Sequence, residues 1–516
     1  MFKFLGRLSA NKTFAFIMAC VAAMPPAILY ASGQAYDWMN TEWGFYTSFL
    51  LIVYIVNAVL MLSYSLFAGK YEVKKPLQIA YLLFCIFTVS MVALSSFYFF
   101  WLVTDKTRDL VGFAVFYSVV FILFALFNQS QVNKAARIAV AAVLCTVIII
   151  PAVGRSVDFV TFGLETGAMV LDVGEAYSVV FATNKNAIGF VEYTYGDEDY
   201  SAMPAEHGKP KVGRIHAVSI PKEHLNGNRY KIGALEIVRE AAYGGQTGDT
   251  VYGEPKEFRG TPLEEGRLKA YAFSDWHGNT GVLSTMIAVM NDKPDIVFML
   301  GDANDIETEE TIINSVIKAG VILTDGIIPA IYARGNHETR GPASHVLADR
   351  LGIPSLYFRT YYEDYAFTVY DCGEDKADIH AEYGGVAAYE PYMKAQLEWS
   401  TTTLSVPTQA YHIALCHMPQ FGLSNSGLRD AWYTELDRLE VGMLIAGHSH
   451  NYKLAKEKAY RNPENAYDPL PFWILQDGGG QSNYIACKIV FKDGNANVIA
   501  YNSNGERDNK NVSILK

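Results

Sequence analysis

Two short stretches place acid and imidazole side chains at alternating positions. Asp275 and His277 are two apart in Ser274-Asp275-Trp276-His277-Gly278-Asn279, and His448 and His450 are two apart in Gly447-His448-Ser449-His450. Side chains of an extended segment alternate with period two, so Asp-x-His and His-x-His each present both groups on one side. Asp302 and Asp305 follow Gly301, Asn336-His337-Glu338 follows Gly335, and His417 follows Cys416. Carboxylates supply charge and can bridge, imidazoles bind through one ring nitrogen, and the Asn amide oxygen is a neutral ligand. Such a mixed donor set suits a divalent or trivalent ion such as Mn, Fe or Zn. Glycines before Asp302, Asn336 and His448 permit tight turns and close backbone approach.

Each of these groups comes directly after a short apolar run of the kind that forms buried strands. Arg267–Phe273 runs into Asp275, Asp295–Leu300 into Asp302, Ile327–Ala333 into Asn336, Tyr411–Leu415 into His417, and Val441–Ala446 into His448. Open α/β sheets bind ligands in the crevice at their strand carboxyl ends. One such fragment alone reads equally well as a turn with a satisfied histidine, whereas five at successive strand ends read as one site.

This ordered set resembles the calcineurin-like metallophosphoesterase superfamily over about residues 268–505. With short strands preceding it, the chain looks most similar to the purple acid phosphatase branch. Ala395-Gln396-Leu397-Glu398-Trp399 and Gln476-Asp477-Gly478-Gly479-Gly480 add to the likeness. The resemblance implies a four-layer αββα fold and two metal ions (Mn, Fe or Zn). One metal is expected on Asp275, His277, Asp302 and His450, and the other on Asp302, Asn336, His417 and His448, with Asp302 bridging. Two such metals about 3.5 to 4 Å apart lower the pKa of a shared water and clamp the oxygens of an in-line displacement at phosphorus. His337, beside Asn336 but not itself a ligand, is then the expected general acid for the departing alkoxide. Asp305 is expected to orient a ligand histidine, with Glu338 either serving likewise or solvated.

Two departures from the purple enzymes stand out. Their metal-binding Tyr, three residues after the bridging Asp, is replaced by Asp305, so no purple charge-transfer band is expected. Their substrate-binding histidines are missing where this chain reads Ser424-Asn425-Ser426-Gly427. Arg340 and His345 are the candidate substitutes.

The rest of the chain sets the context. Of the 42 basic and 53 acidic residues, 11 and 6 lie in residues 1–160, a net of +5, which leaves 31 and 47 after it, a net of −16. That acidic excess disfavours nucleic acid as a partner, because affinity for the phosphate backbone comes from Lys and Arg. Six cysteines without paired spacing exclude a disulfide framework. Five apolar segments, about 14–32, 44–68, 78–103, 110–127 and 138–153, lack Asp, Glu, Lys, Arg and His. They read as a five-helix transmembrane bundle over 1–160. Lys3, Arg7, Lys12, Lys70, Lys74, Lys75, Lys134 and Arg137 on one side, against Lys106 and Arg108 on the other, put the amino terminus in the cytoplasm. The remainder is then extracytoplasmic, on a multi-pass cell-membrane protein whose partners include the lipid bilayer and other membrane proteins. A cleaved signal peptide is the alternative for the first segment.

Residues 161–265 carry short β-branched and aromatic runs between turn residues and read as a small all-β, fibronectin III-like sandwich. His207, His216 and His224 there have no ligand spacing. Residues 266–516 form the metallophosphoesterase domain of this multi-domain expectation. The function expected is membrane-anchored hydrolysis of a phosphoester; the alternative is a non-catalytic membrane receptor or sensor with a structural or vestigial metal site.

Overall fold

The structure is a computed structural model. It describes residues 161–515 apart from 242–243, 261–262, 264, 420–425, 459–468 and 481–482. Residues Phe162–Glu240 and Gly245–Lys516 form one compact unit.

The first strands are β1 (Met169–Asp172), the 20-residue β2 (Ala176–Tyr195), β3 (Glu198–Ala202), β4 (Ala205–Glu206), β5 (Lys209–Pro210), β6 (Gly213–Pro221), β7 (Arg229–Ala241), β8 (Gly244–Tyr252) and β9 (Lys256–Glu257). After them come β10 (Leu268–Phe273), β11 (Ile296–Met299) and β12 (Ala330–Tyr332). A second series is β13 (Phe358–Tyr362), β14 (Tyr365–Val369), β15 (Tyr411–Leu415), β16 (Met443–Ala446), β17 (Lys453–Ala455) and β18 (Trp473–Gln476). The chain closes with β19 (Ala486–Lys492), β20 (Asn495–Asn502) and β21 (Gly505–Ser513).

Among the described residues one sheet has 13 strands, with the path β21-β20-β19-β10-β11-β12-β1-β2-β7-β8; a second has six, in the order β13-β14-β15-β16-β18-β17; and β4 and β5 pair only with each other. The ligand-bearing strands run parallel in both. Phe273 pairs with Met299 and Met299 with Tyr332 in the first sheet, and Leu415 with Ile445 and Ala446 with Gln476 in the second.

Strand alternation explains how the sheets stack. Leu268, Ala270 and Ala272 of β10 and Ile296 and Phe298 of β11 pack with Phe367, Ile413, Leu415, Met443 and Ile445 of the second sheet. The intervening Tyr271, Phe273, Val297 and Met299 pack outward, against Leu283, Met286 and Met290 of the helix Thr280–Met290 and against Ile312, Ile313 and Val316. Leu283, Met286 and Met290 recur at i, i+3 and i+7, the stripe of a helix lying on a sheet. On the far side, Leu428, Trp432 and Leu436 of the helix Ser426–Arg438 cover Ala414 and Leu444. Phe298 and Phe367 meet between the sheets with ring centroids 5.3 Å apart. Burying one such side chain stabilises by about 1.5–3 kcal/mol.

This architecture corrects the multi-domain expectation. Among the described residues the protein is mainly β-sheet, and no helix is long and apolar enough to cross a membrane. The transmembrane bundle and its lipid and membrane-protein partners are therefore unsupported, and the five apolar segments at about 14–32, 44–68, 78–103, 110–127 and 138–153 lie outside the described residues. The fibronectin-like sandwich does not stand alone either. β1 pairs in parallel with β12 through Leu171 and Ala330, so the strands of 169–257 other than β4 and β5 continue the sheet that carries Asp275, Asp302 and Asn336. The two faces of β2 divide accordingly. Val180 and Ala182 enter the core beneath the helices, while Tyr177, Val179 and Phe181 form a second core with Val218, Tyr230 and Phe258.

The middle histidines take structural places. His216 is buried with Nε2 2.9 Å from Thr183 Oγ1, His224 stacks on Tyr195, and His207 is exposed.

Candidate metal centre

Six strands, three from each sheet, end along one edge. The first residues past them are Ser274-Asp275, Leu300-Gly301-Asp302, Ala333–Asn336, Cys416-His417, Gly447-His448 and Asp477. Two clusters of potential ligand atoms result, Asp275 with His277 and His450, and Asp302 with His417 and His448. Within the first, His450 Nε2 lies 3.1 Å from Asp275 Oδ1 and 3.4 Å from His277 Nε2. Within the second, His417 Nε2 is 3.2 Å from Asp302 Oδ2, and His448 Nδ1 is 3.2 Å from Asn336 Oδ1. His417 Nε2 also lies 4.0 Å from Asp275 Oδ1, so the clusters adjoin.

The backbone is bent to this purpose. Asp275, His277, Asp302, His448 and His450 all have positive φ, between 41° and 70°. Left-handed conformations of residues other than glycine cost of order 1–3 kcal/mol each and gather at functional sites. Gly335 packs against Asp302 so closely that a Cβ there would sit 2.3 Å from both its amide nitrogen and its Oδ1, and a Cβ on Gly447 would sit 2.4 Å from Ser274 Cβ.

Several donors are fixed from behind. His417 Nδ1 lies 2.6 Å from the Leu300 carbonyl, which only accepts, so Nδ1 donates and Nε2 faces the two aspartates. His277 Nδ1 is 2.8 Å from Asp305 Oδ1, leaving Nε2 toward His450. Metal-binding histidines characteristically hand their other N–H to a carbonyl or carboxylate in this way. Asp275 Oδ2 accepts from the His448 amide at 2.9 Å, and Ser274 Oγ bridges Asp275 Oδ2 and Asp477 Oδ1, 2.5 Å from the latter, with its one proton serving one of the two carboxyls. Glu338 is fully buried, not solvated. Its carboxylate accepts from the amides of Asp302 (3.0 Å), Ala303 (2.6 Å) and Gly335 (3.0 Å), tying two ligand loops together. The Asn336 loop is further held by Arg334 Nη2, 2.7 Å from buried Asp371 Oδ2, while Gln396 bonds the Asp371 backbone at 2.9 and 2.7 Å.

These residues fit metal ions. Asp275 Oδ1 and His417 Nε2 are completely buried polar atoms without an aligned hydrogen-bond partner. Leaving such groups unsatisfied costs roughly 1–3 kcal/mol each, and a cation between them answers both. The electrostatics agree. Burial, the largest single effect, would raise the Asp302 carboxyl, but the charge and hydrogen bond of His417 together with those of His337 outweigh it and hold Asp302 well below the usual range; Asp275 is lowered against burial in the same way, by His417, His450 and the Ser274 hydrogen bond. Burial would lower His417, yet Asp302 and Asp275 push it up to about 10. Asp477, screened from water by burial and facing Asp275, rises to about 8, and Glu338 also reaches about 8 through burial and the nearby Asp302 charge.

His337 stands beside the clusters. Its amide donates to Asp302 Oδ1 at 3.0 Å, and its Nε2 is 3.8 Å from Asp302 Oδ2. With His277 and Asp305 it forms a third cluster, where its Nδ1 is 3.5 Å from Asp305 Oδ1. Burial lowers its pKa, with Asp302 opposing and Arg340 assisting. Arg340 Nη1 lies 3.3 and 3.2 Å from the two ring nitrogens of His337. His345 is exposed on the single turn Ser344–Val346 and joins none of the clusters, since the left-handed Gly341 carries the chain away after Arg340. Ser424 and Asn425 lie outside the described residues. The roles of Ser274 and Glu374 carry no local signal in the sequence, and the Gln476–Gly480 likeness marks Asp477 without revealing its bond to Ser274.

Residues 268–452 match the family model for calcineurin-like phosphoesterases, so the chain carries a metallophosphoesterase domain there. No match is found among curated proteins. Among solved structures, the chain is 15% identical to the purple acid phosphatase PPD1 from yellow lupin (Lupinus luteus) seeds, covering 67% of this chain and 74% of that one at a TM-score of 0.47. It is 10% identical to PhoD, covering 67% and 91% at a TM-score of 0.43. A predicted phosphoesterase from Streptococcus pneumoniae is 13% identical, covering 48% and 98% at a TM-score of 0.25.

Proposed function

We propose that the protein hydrolyses phosphoesters at a dinuclear metal centre. The observation that carries this reading is the pair of adjoining clusters whose innermost atoms, Asp275 Oδ1 and His417 Nε2, are buried and lack an aligned hydrogen-bond partner. Asp275, His277 and His450 would hold one ion and Asp302, Asn336, His417 and His448 the other, with Asp302 shared; Mn, Fe and Zn all suit these donors. Bound there, two cations would lower the pKa of a shared water and offset negative charge on the phosphoryl oxygens.

The chain's own residues supply the rest. His337 is one-quarter exposed, so its ring reaches the solvent side where a leaving group would depart, and it donates the proton that the alkoxide needs. Asp305 orients both His277 and His337 from the rim. Glu338 and Ser274 keep the aspartate loops in place before substrate arrives, so little reorganisation is left to the reaction.

The test is hydrolysis of 4-nitrophenyl phosphate by the full-length protein with added Mn²⁺, Fe²⁺ or Zn²⁺. Activity that Asp302→Asn abolishes supports the reading. A wild-type protein that binds fewer than two metals per chain and turns over no phosphoester overturns it in favour of a non-catalytic metal-binding role.

A further inference from the structure

Glu374, on the loop after β14, has a fully buried side chain and belongs to none of the metal clusters. Its oxygens are nonetheless covered by donors. Arg340 Nε lies 2.7 Å from Oε1 and Nη2 3.1 Å from Oε2, a two-pronged contact; Tyr383 Oη adds a bond at 3.1 Å to Oε2, and Thr339 Oγ1, whose one proton is shared with the Asn336 carbonyl, lies 3.0 Å from Oε1. A buried carboxylate fixed by this many groups holds the guanidinium in one orientation.

That orientation has a direction. Both nitrogens spent on Glu374 face inward, while Nη1, whose two N–H bonds are not spent there, is the atom beside the His337 ring. The Arg340 side chain is one-third exposed and that of His337, which Nη1 touches, one-quarter. Asp302 is near enough for its charge to act on Arg340. A fixed cation thus stands next to the general acid and the shared metal ligand, with Nη1 the one guanidinium nitrogen not engaged by Glu374.

We propose that Arg340, oriented by Glu374, binds a non-bridging oxygen of the substrate phosphoryl group and makes the site selective for phosphomonoesters over diesters. The proposal rests on the phosphoesterase reading and deepens it. A monoester carries about −1.5 to −2 charges at neutral pH, whereas a diester has a single negative charge and an organic group in place of one oxygen. The planar guanidinium suits such an anionic oxygen better than an ammonium would. Glu374 acts through Arg340 and is a positioning residue.

The experiment compares kcat/KM of the Mn²⁺-loaded full-length protein for 4-nitrophenyl phosphate and bis(4-nitrophenyl) phosphate. Arg340→Ala should lower the monoester-to-diester ratio about 10- to 100-fold, the worth of a hydrogen bond to a charged group. The loss should appear mainly in KM, and added guanidinium ion should restore part of it. Arg340→Lys should give an intermediate ratio, and Glu374→Gln a smaller fall in the same direction without guanidinium rescue. An unchanged ratio in an Arg340→Ala protein that keeps its metals, or equal loss on both esters, overturns the proposal while leaving the phosphoesterase reading standing. If Arg340→Ala loses metal, the Arg340→Lys ratio decides. A wild type active on neither ester removes the reading itself and the proposal with it.

Discussion

The Nδ1 of His417 donates to the Leu300 carbonyl at 2.6 Å, so a strand end of one sheet aims a ring whose position is set by the other. Leu300 follows β11 and His417 follows β15, and their bond crosses between the sheets. His417 is thereby left with one free nitrogen, turned toward Asp302 and Asp275.

Replacing His417 with Ala should remove metal as well as turnover. Loss of a partner behind a metal ligand typically costs 10- to 100-fold in affinity or activity, and Asp305→Ala, which frees His277, should fall in about that range. His417→Ala removes a ligand outright and should cost more. Elemental analysis after gel filtration checks both, and full metal content in the His417 variant would refute the assignment.

Metal uptake should release protons. In the metal-free protein His417 is raised to about 10 by the two aspartates. Its contribution to stability is therefore complete below the ordinary histidine value of about 6.5 and fades as pH rises through about 10. A metal ion must displace that proton, so affinity should weaken roughly tenfold for each unit of pH lost below 10. Calorimetric titration in buffers of different ionisation enthalpy measures the release; buffer-independent heats would contradict it.

His337→Ala should lower kcat by about 10²- to 10⁴-fold for an alkyl phosphate, the usual worth of general acid catalysis. A nitrophenolate departs without a proton, so the same variant should lose much less on 4-nitrophenyl phosphate. Equal losses on the two substrates would assign His337 a structural role.

Gly335→Ala should destabilise the fold and empty the site. The new Cβ would lie 2.3 Å from the Asp302 amide nitrogen, which is backbone and cannot swing aside. Overpacking of this kind costs about 1–3 kcal/mol, measurable as a lower urea midpoint. Gly163→Ala, with nothing within 4 Å of the added carbon, is the control and should unfold like wild type.

What the sequence makes legible here is local. Alternating apolar runs that stop at a glycine, then an acid or histidine, announce strand ends, and the residues so marked do come together. Less visible are groups that meet only through the fold. Ser274 and Asp477 are 203 residues apart yet share a 2.5 Å hydrogen bond. Glu374 looks like any loop acid until Arg340 and Tyr383 are found on it. Alternation tells which residues of β2 share a face; it does not tell which sheet that face will join. The 161–265 strands accordingly suggest a separate sandwich, whereas the β1–β12 pairing joins all of them but β4 and β5 to the sheet that carries Asp275, Asp302 and Asn336.

That pairing bears on where the folding unit begins. The family likeness starts at residue 268, which is where the chemistry becomes recognisable, but the backbone of Ala330 on β12 is already paired with Leu171. A fragment cut to the boundaries of the likeness would bare a strand edge six positions from Asn336 and invite it to pair with a neighbour. The strands ahead of the motifs are thus closer to a permanent splint on the ligand-bearing sheet than to an accessory that could be exchanged.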